Sequence, residues 1–284
     1  MDIFVIGVTG FVGGHLARHL AAEGHTVTGL ARTGAAAATL RAQGITPVAA
    51  DLDARRLAAV AAALRADAVV YAAQAAPDQE SATVRDLTRA LAGTGKTLVL
   101  LSGSGVLMQR TGGAWSPDVF AERDSFTPEP LAAFRKAAED TVLAAAGDGV
   151  RAMVVRPGLI WGPGDHGHVP MVYRSVATTG AAAYVGPGLN TYSHVHIDDV
   201  TRLFTLALAG GRAGGLYHAV AGPPTAGSRN ASPPTSGWRR AASLPGKPPG
   251  CGASSAPSSW PRPAASEPST PGGSWAGTPS APTC

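Results

Sequence analysis

Gly7, Gly10 and Gly13 stand three apart in the run Gly7-Val8-Thr9-Gly10-Phe11-Val12-Gly13-Gly14-His15-Leu16, directly after the apolar stretch Ile3-Phe4-Val5-Ile6. A glycine at the first place permits a tight turn. One at the second lets the main chain approach a diphosphate with no Cβ in the way, and one at the third lets a helix pack closely on a strand. The unpaired N–H groups at the start of that helix, together with its dipole, favour an anion. Apolar strand, glycine turn and amphipathic helix in this order predict a phosphate-binding turn.

Other groups of suggestive residues carry less. Gly93-Thr94-Gly95-Lys96-Thr97 imitates the end of a nucleoside-triphosphate loop, but Ala90 replaces its first glycine and a strand follows instead of a helix. His166, His168, His194 and His196 form two His-x-His pairs near Asp165. They could ligate zinc only if the chain brought the pairs together, so they are read as polar loop residues and no metal is expected. Asp198-Asp199 precedes a helical stripe, and N-capping accounts for one of them.

The elements that must position the glycine turn can be read from periodicity. Ile3–Ile6 is apolar on both faces, as a central parallel strand must be. Val12, Leu16 and Leu20 mark a helix that closes at Gly24. Strands are predicted at 27–31, 45–50, 68–72, 97–101 and 153–155, with a weak Ala-rich helix before the second of these. Helices are predicted from Val84, Leu87, Thr88 and Leu91, over 131–146, and from Val200, Leu203, Phe204, Ala207 and Leu208. Short strands alternating with helices give right-handed βαβ units and a doubly wound parallel α/β sheet, with ligands beyond the carboxyl ends of the strands.

Composition divides the chain. Of 284 residues, 45% are hydrophobic and 15% charged, with a formal net charge of +4. Residues 223–284 hold 14 of the 23 prolines with 12 serines and 8 glycines, and five basic residues against one acid. Residues 1–222 balance at 18 basic and 18 acidic, so the excess charge belongs to the tail and no nucleic-acid surface is expected on the body. No apolar run is long enough to span a bilayer, so no membrane partner is expected. Met1-Asp2-Ile3-Phe4 lacks the basic start of a secretory leader. Cys251 and Cys284 both lie in the tail, which fits a reducing compartment, and a cytoplasmic location is expected. No feature of the sequence sets an oligomeric state.

The G-x-x-G-x-x-G spacing resembles the short-chain dehydrogenase/reductase superfamily, in its extended or atypical NAD-dependent epimerase/dehydratase branch. Asp51 stands where that family places an adenine-contacting Asp. Arg156-Pro157-Gly158-Leu159-Ile160-Trp161-Gly162-Pro163-Gly164-Asp165 resembles the branch's segment after strand six, and Val195-His196-Ile197-Asp198-Asp199-Val200 its later motif. The resemblance implies a Rossmann-like fold over 1–222, with a reduced substrate-binding region whose loops fall in 162–195. It implies cofactor contacts from Gly7, Thr9, Gly10, Phe11, Val12, Gly13, Arg32, Asp51, Ala72 and Lys136, and a small hydroxyl or carbonyl substrate.

Members that prefer NAD carry an acid at the end of strand two. Here Ala31 occupies that place and Arg32 follows. A guanidinium can pair with a 2′-phosphate where an acid would repel it, so NADP(H) is preferred, with NAD(H) as the alternative. In the superfamily a Ser after strand five polarises the carbonyl, and a Tyr-x-x-x-Lys on the next helix moves the proton. Ser102 or Ser104 takes the first role by position, although the register around Val106 slightly favours Gly103 at the usual Ser place. Lys136 matches the motif's Lys, but the Tyr position is Ala132, and no tyrosine lies between Tyr71 and Tyr173. Three readings stay open. Another group or a water supplies the proton, with Tyr173, Tyr184 and Tyr192 as loop-borne choices; the reaction needs hydride positioning alone; or the protein is a non-catalytic NADP-binding sensor or partner-binding module.

The tail has no helical or strand period, and prolines interrupt every candidate element, so disorder is expected over 223–284. Yet it holds three of the five tryptophans: Trp238, Trp260 and Trp275. Ala, Gly, Pro, Ser, Arg and Trp are what GC-rich DNA encodes out of frame, so a frameshift near codon 223 is expected. Translating the gene in its other two frames then yields an amphipathic helical continuation. Two frames without one would make the tail genuine.

Overall fold

In the computed structural model the described residues are 1–165, 167–221, 225–226 and 238–240. Strand β1 (Asp2–Ile6) leads into helix α1 (Phe11–Ala22), β2 (Thr26–Ala31), α2 (Gly34–Ala42), β3 (Thr46–Ala49), α3 (Arg56–Arg65) and β4 (Ala68–Tyr71). Next come α4 (Pro77–Leu91), β5 (Thr97–Leu101), α5 (Ala133–Ala144), β6 (Arg151–Pro157) and β7 (Leu159–Trp161). They are followed by α6 (His168–Thr179), β8 (Ala183–Val185), β9 (Thr191–Tyr192), β10 (His194–His196), α7 (Ile197–Gly210) and β11 (Gly215–Ala219).

Seven parallel strands form one sheet in the order β11-β6-β5-β4-β1-β2-β3. The order reverses between β1 and β4, which opens a crevice at their carboxyl ends. The α/β class and the doubly wound arrangement agree with the sequence reading. The seventh strand, β11, and helix α3 were not foreseen. Ala-rich α3 offers almost no periodic contrast, although Ala59, Ala62 and Ala63 are buried.

The apolar character of β1 is explained by its neighbours. Ile3 and Val5 pack with Leu16, Leu20, Val200 and Phe204 of α1 and α7. Phe4 and Ile6 pack on the other face with Val84, Leu87, Leu91, Ala138 and Val142 of α4 and α5. A strand covered on both sides cannot alternate polar and apolar residues.

Residues 162–195 are not all loop: α6 and the short strands β8 and β9 lie within them. Pro170 hid the helix from a sequence reading. It sits in the first turn, where a missing N–H breaks no intrahelical bond. Asp198 and Asp199 lie in the first turn of α7, but neither caps it. The His196 ring accepts from the Asp198 N–H instead.

Two short pieces of the tail pair antiparallel with the body: β12 (Thr225–Ala226) with β9, and β13 (Trp238–Arg240) with β8. The disorder and frameshift expected of the rest of 223–284 lie outside the described residues.

Helix α5 is tied to its surroundings by charges inside the core. Arg156 at the end of β6 donates from Nε and Nη2 to Glu139 at 2.9 and 2.6 Å, and both residues are almost wholly buried. One turn earlier, Arg135 brings Nη1 to 2.9 Å from Glu80 of α4, close enough to pair but not aligned as a hydrogen bond. Burial raises the Glu80 carboxyl, and Arg135 opposes part of that. Removing one partner of a buried pair leaves an uncompensated charge, at about 3–5 kcal/mol. Glu139→Gln is therefore expected to lower stability by about that amount in urea unfolding. The double variant Glu139→Leu, Arg156→Met should recover most of it.

Candidate functional site

The glycine turn is built by close backbone approaches. Gly7 has φ +91°, and its Cα faces the chain leaving β4: an added Cβ would stand 2.6 Å from the Ala72 carbonyl. Ala72 N–H in turn donates to the Ile6 carbonyl at 2.8 Å. A Cβ on Gly13 would lie 2.2 Å from the Gly7 oxygen, so the third glycine seats α1 against the turn. Gly10 is different. Among the described residues, the one atom a Cβ there would meet is the Gly7 oxygen, at 3.2 Å. Gly10 is also the N-cap of α1 and makes no side-chain cap bond, so no side chain competes for the first N–H groups of the helix.

Beyond this turn lies a cleft of about 1500 Å³. Gly7, Thr9, Gly10, Phe11, Val12, Arg32, Asp51 and Ala72 line it. Gly13 does not, because it lies behind the turn. Arg32 is exposed, and its guanidinium has no ion-pair or hydrogen-bond partner among the described residues. Asp51 is occupied by its own loop. It accepts from the N–H groups of Asp53 and Arg55 and pairs with Arg55 Nε at 2.9 Å. Chiefly the Arg55 main-chain bond holds its carboxyl down at about 2. Arg55 Nη2 also reaches the Arg32 carbonyl at 3.3 Å, tying the two loops together.

Ser102 and Ser104 line the other half of the cleft. Ser102 N–H donates to the Val155 carbonyl at 2.8 Å, which extends the β5–β6 ladder by one residue. Its hydroxyl is buried and has no hydrogen-bond partner among the described residues. Ser104 opens a 3₁₀ turn, Ser104–Leu107.

Lys136 is not brought to these serines. It is absent from the cleft wall; its Nζ pairs with Asp140 one helical turn on and lies 5.8 Å from the centre of the Phe126 ring. A carboxylate at i+4 and an aromatic face both draw the ammonium away from the cleft. Ala132, at the motif's Tyr position, is buried before the first residue of α5. The three tyrosines expected on loops lie instead in α6, β8 and β9; Tyr192 lines the cleft, whereas Tyr173 and Tyr184 do not.

Several groups at the site escaped the sequence reading. Arg156 and His218 line the cleft at neighbouring positions of β6 and β11, with Arg156 Nη1 3.4 Å from His218 Nε2. Phe126 covers Arg156, the ring centre 5.3 Å from the guanidinium carbon. Phe126 belongs to the long connection 108–132, which also supplies Met108, Gln109, Asp118 and Phe120 to the cleft wall. Glu122 of that connection accepts the His218 N–H at 3.1 Å, which lowers the Glu122 carboxyl. A signal for part of this cluster was present: Arg156 is a lone charge inside the apolar stretch 153–161. Among the described residues no group of three or more His, Cys, Asp and Glu side chains could hold a metal, and His166 lies outside them.

Comparison with known proteins gives the arrangement a context. The model of a family described as "NAD dependent epimerase/dehydratase family" matches residues 3–220. An uncharacterized protein of Schizosaccharomyces pombe is 35% identical over 233 residues, covering 78% of this chain and 75% of that one. The 4-hydroxy-2-methyl-3-oxo-4-farnesyl-3,4-dihydroquinoline-1-oxide ketoreductase of Stigmatella aurantiaca is 29% identical, covering 79% and 69%. The UDP-glucose 4-epimerase of Thermus thermophilus, solved as a complex with NAD, shares the fold with a TM-score of 0.64 at 22% identity, covering 79% of each chain.

His218 gives the site a pH dependence. Burial, and then Arg156, lower the imidazole from its ordinary value of 6.5, against opposing pulls from Glu122, Glu139 and Asp124. The folded chain thus binds this proton less tightly than the unfolded chain. Its contribution to stability is complete above about 6.5 and is lost as pH falls through that value towards the depressed one. Urea midpoints taken across this window should fall with pH in the wild type and fall less steeply in His218→Gln.

Proposed function

We propose that this chain, which belongs to the NAD dependent epimerase/dehydratase family, is an NAD(P)-dependent oxidoreductase of epimerase type that acts on a small hydroxyl or carbonyl substrate and prefers NADP(H). The observation that carries the reading is the glycine cradle. Gly7 and Gly13 are sterically obliged, and Gly10 leaves an uncapped helix start facing a cleft at the sheet's switch point.

The residues present suit a dinucleotide. The first N–H groups of α1 receive the diphosphate. The Arg32 guanidinium, without a partner of its own among the described residues, pairs with a 2′-phosphate. The nicotinamide, when bound, supplies or takes the hydride. Ser102 then donates its buried hydroxyl to the substrate oxygen, which satisfies a group otherwise left without a bond. Tyr192, which also lines the cleft, delivers the proton that Ala132 cannot.

A second reading has an observation in its favour. With Ala132 buried and Lys136 drawn to Asp140, the family's proton pair is absent, which suits a module that binds NADP without turnover.

Titration with both coenzymes separates these readings. NADPH is expected to bind about tenfold or more tightly than NADH, and Arg32→Ala to remove that difference. Tighter NADH binding would reverse the coenzyme assignment. Consumption of NADPH over a panel of carbonyl compounds, lost in Ser102→Ala and Tyr192→Phe, supports the enzyme. Binding without consumption supports the module.

A further inference from the structure

Between β7 and α6 the chain turns through Gly162-Pro163-Gly164-Asp165. The Asp165 N–H donates to the Gly162 carbonyl at 3.0 Å, and Asp165 Oδ1 accepts the Gly167 N–H at 2.6 Å. One carboxylate oxygen is thereby used to shape the turn. The other, Oδ2, is withdrawn from solvent and has no hydrogen-bond partner among the described residues. Asp165 lines the cleft, as do Gly167 and His168 beside it and Thr191, Tyr192 and Ser193 of the strand region that follows. A buried acceptor on a residue of the cleft wall calls for a donor, and the filler of the cleft can supply one.

The charges around the cleft narrow what that filler is. Among the described residues lining it there is no lysine, and the arginines are Arg32 and Arg156. Arg156 already holds its counter-ion, Glu139. Arg32 follows β2, which is separated from β6 by three strands, β1, β4 and β5. The acids in the wall are Asp51, Asp53, Asp118 and Asp165. The half of the cleft beside β6 thus has no uncommitted arginine or lysine for a phosphate or carboxylate, but it does have an uncommitted carboxylate oxygen.

We propose that Asp165 Oδ2 accepts a hydrogen bond from a hydroxyl or amine of the substrate, and that the substrate is a carbonyl or alcohol compound bearing such a donor and no phosphate or carboxylate. The proposal rests on the coenzyme-binding reading above. The coenzyme's ribose and carboxamide offer the same donor chemistry, so the test separates the two sources.

The full chain and Asp165→Asn are compared. NADPH affinity is measured first. The NADPH-loaded proteins are then titrated with 2-hydroxyacetophenone, 2-aminoacetophenone, acetophenone and phenylglyoxylate. The wild type is expected to bind the two donor-bearing ketones about tenfold more tightly than acetophenone, with phenylglyoxylate weakest. Asn keeps an oxygen for Gly167 but loses the second acceptor. The variant should therefore retain its NADPH affinity, lose the tenfold preference and melt no lower than the wild type. A fall in NADPH affinity with the ketone order unchanged assigns the donor to the coenzyme and overturns the substrate role. Equal binding of the four probes, or none, in the NADPH-loaded wild type also overturns it. So does a variant that melts lower with every affinity intact, which makes Asp165 a turn residue only. A wild type that does not bind NADPH defeats the coenzyme reading itself and the proposal with it.

Discussion

The architecture depends on one close contact, main chain against main chain, where β1 gives way to α1. Gly7 presses on the peptide after Ala72, and Gly13 presses on the Gly7 oxygen. Neither approach leaves room for a methyl group. Together they fix the start of α1 over the crevice between β1 and β4, and the helix dipole points where the strand order reverses. The rest of the cleft is placed relative to this point: Arg32 beyond β2 on one side, Ser102 beyond β5 on the other.

A second constraint holds the far half. Helix α5 carries Arg135 and Glu139 on one buried stripe and uses them in opposite directions, towards Glu80 of α4 and Arg156 of β6. Ion pairs inside a core add little net stability, because desolvation offsets the attraction. They do define the helix's rotation, since a turned helix would bury bare charge. That rotation also sets where Lys136 points, towards Asp140 and Phe126 and away from Ser102.

Much of this was legible in the sequence, for identifiable reasons. The glycine turn follows from spacing, and β1, β4 and β5 from their unbroken apolar runs. The placing of Ser102 follows from its position one residue past β5. What escaped depended on partners far along the chain. Helix α3 is mostly alanine and leucine, with arginines only at its two ends and so no polar face to set its period. Helix α6 carries a proline that reads as a break until its place in the first turn is known. The direction of Lys136 is decided by Phe126, ten residues earlier in a connection without periodicity. The Arg156–His218 neighbourhood required the pairing of β6 with β11, which no local pattern encodes.

The position of β1 has a consequence for biosynthesis. Among the strands of the seven-stranded sheet β1 is synthesised first, yet it is an inner strand, hydrogen-bonded to β2 on one flank and to β4 on the other. Its β4 flank stays bare until some sixty further residues have been translated, and the helices α4 and α7 that seal its two faces arrive later still. A nascent chain of this topology carries a sticky apolar ribbon through much of its elongation, the kind of surface that aggregates before it can be covered.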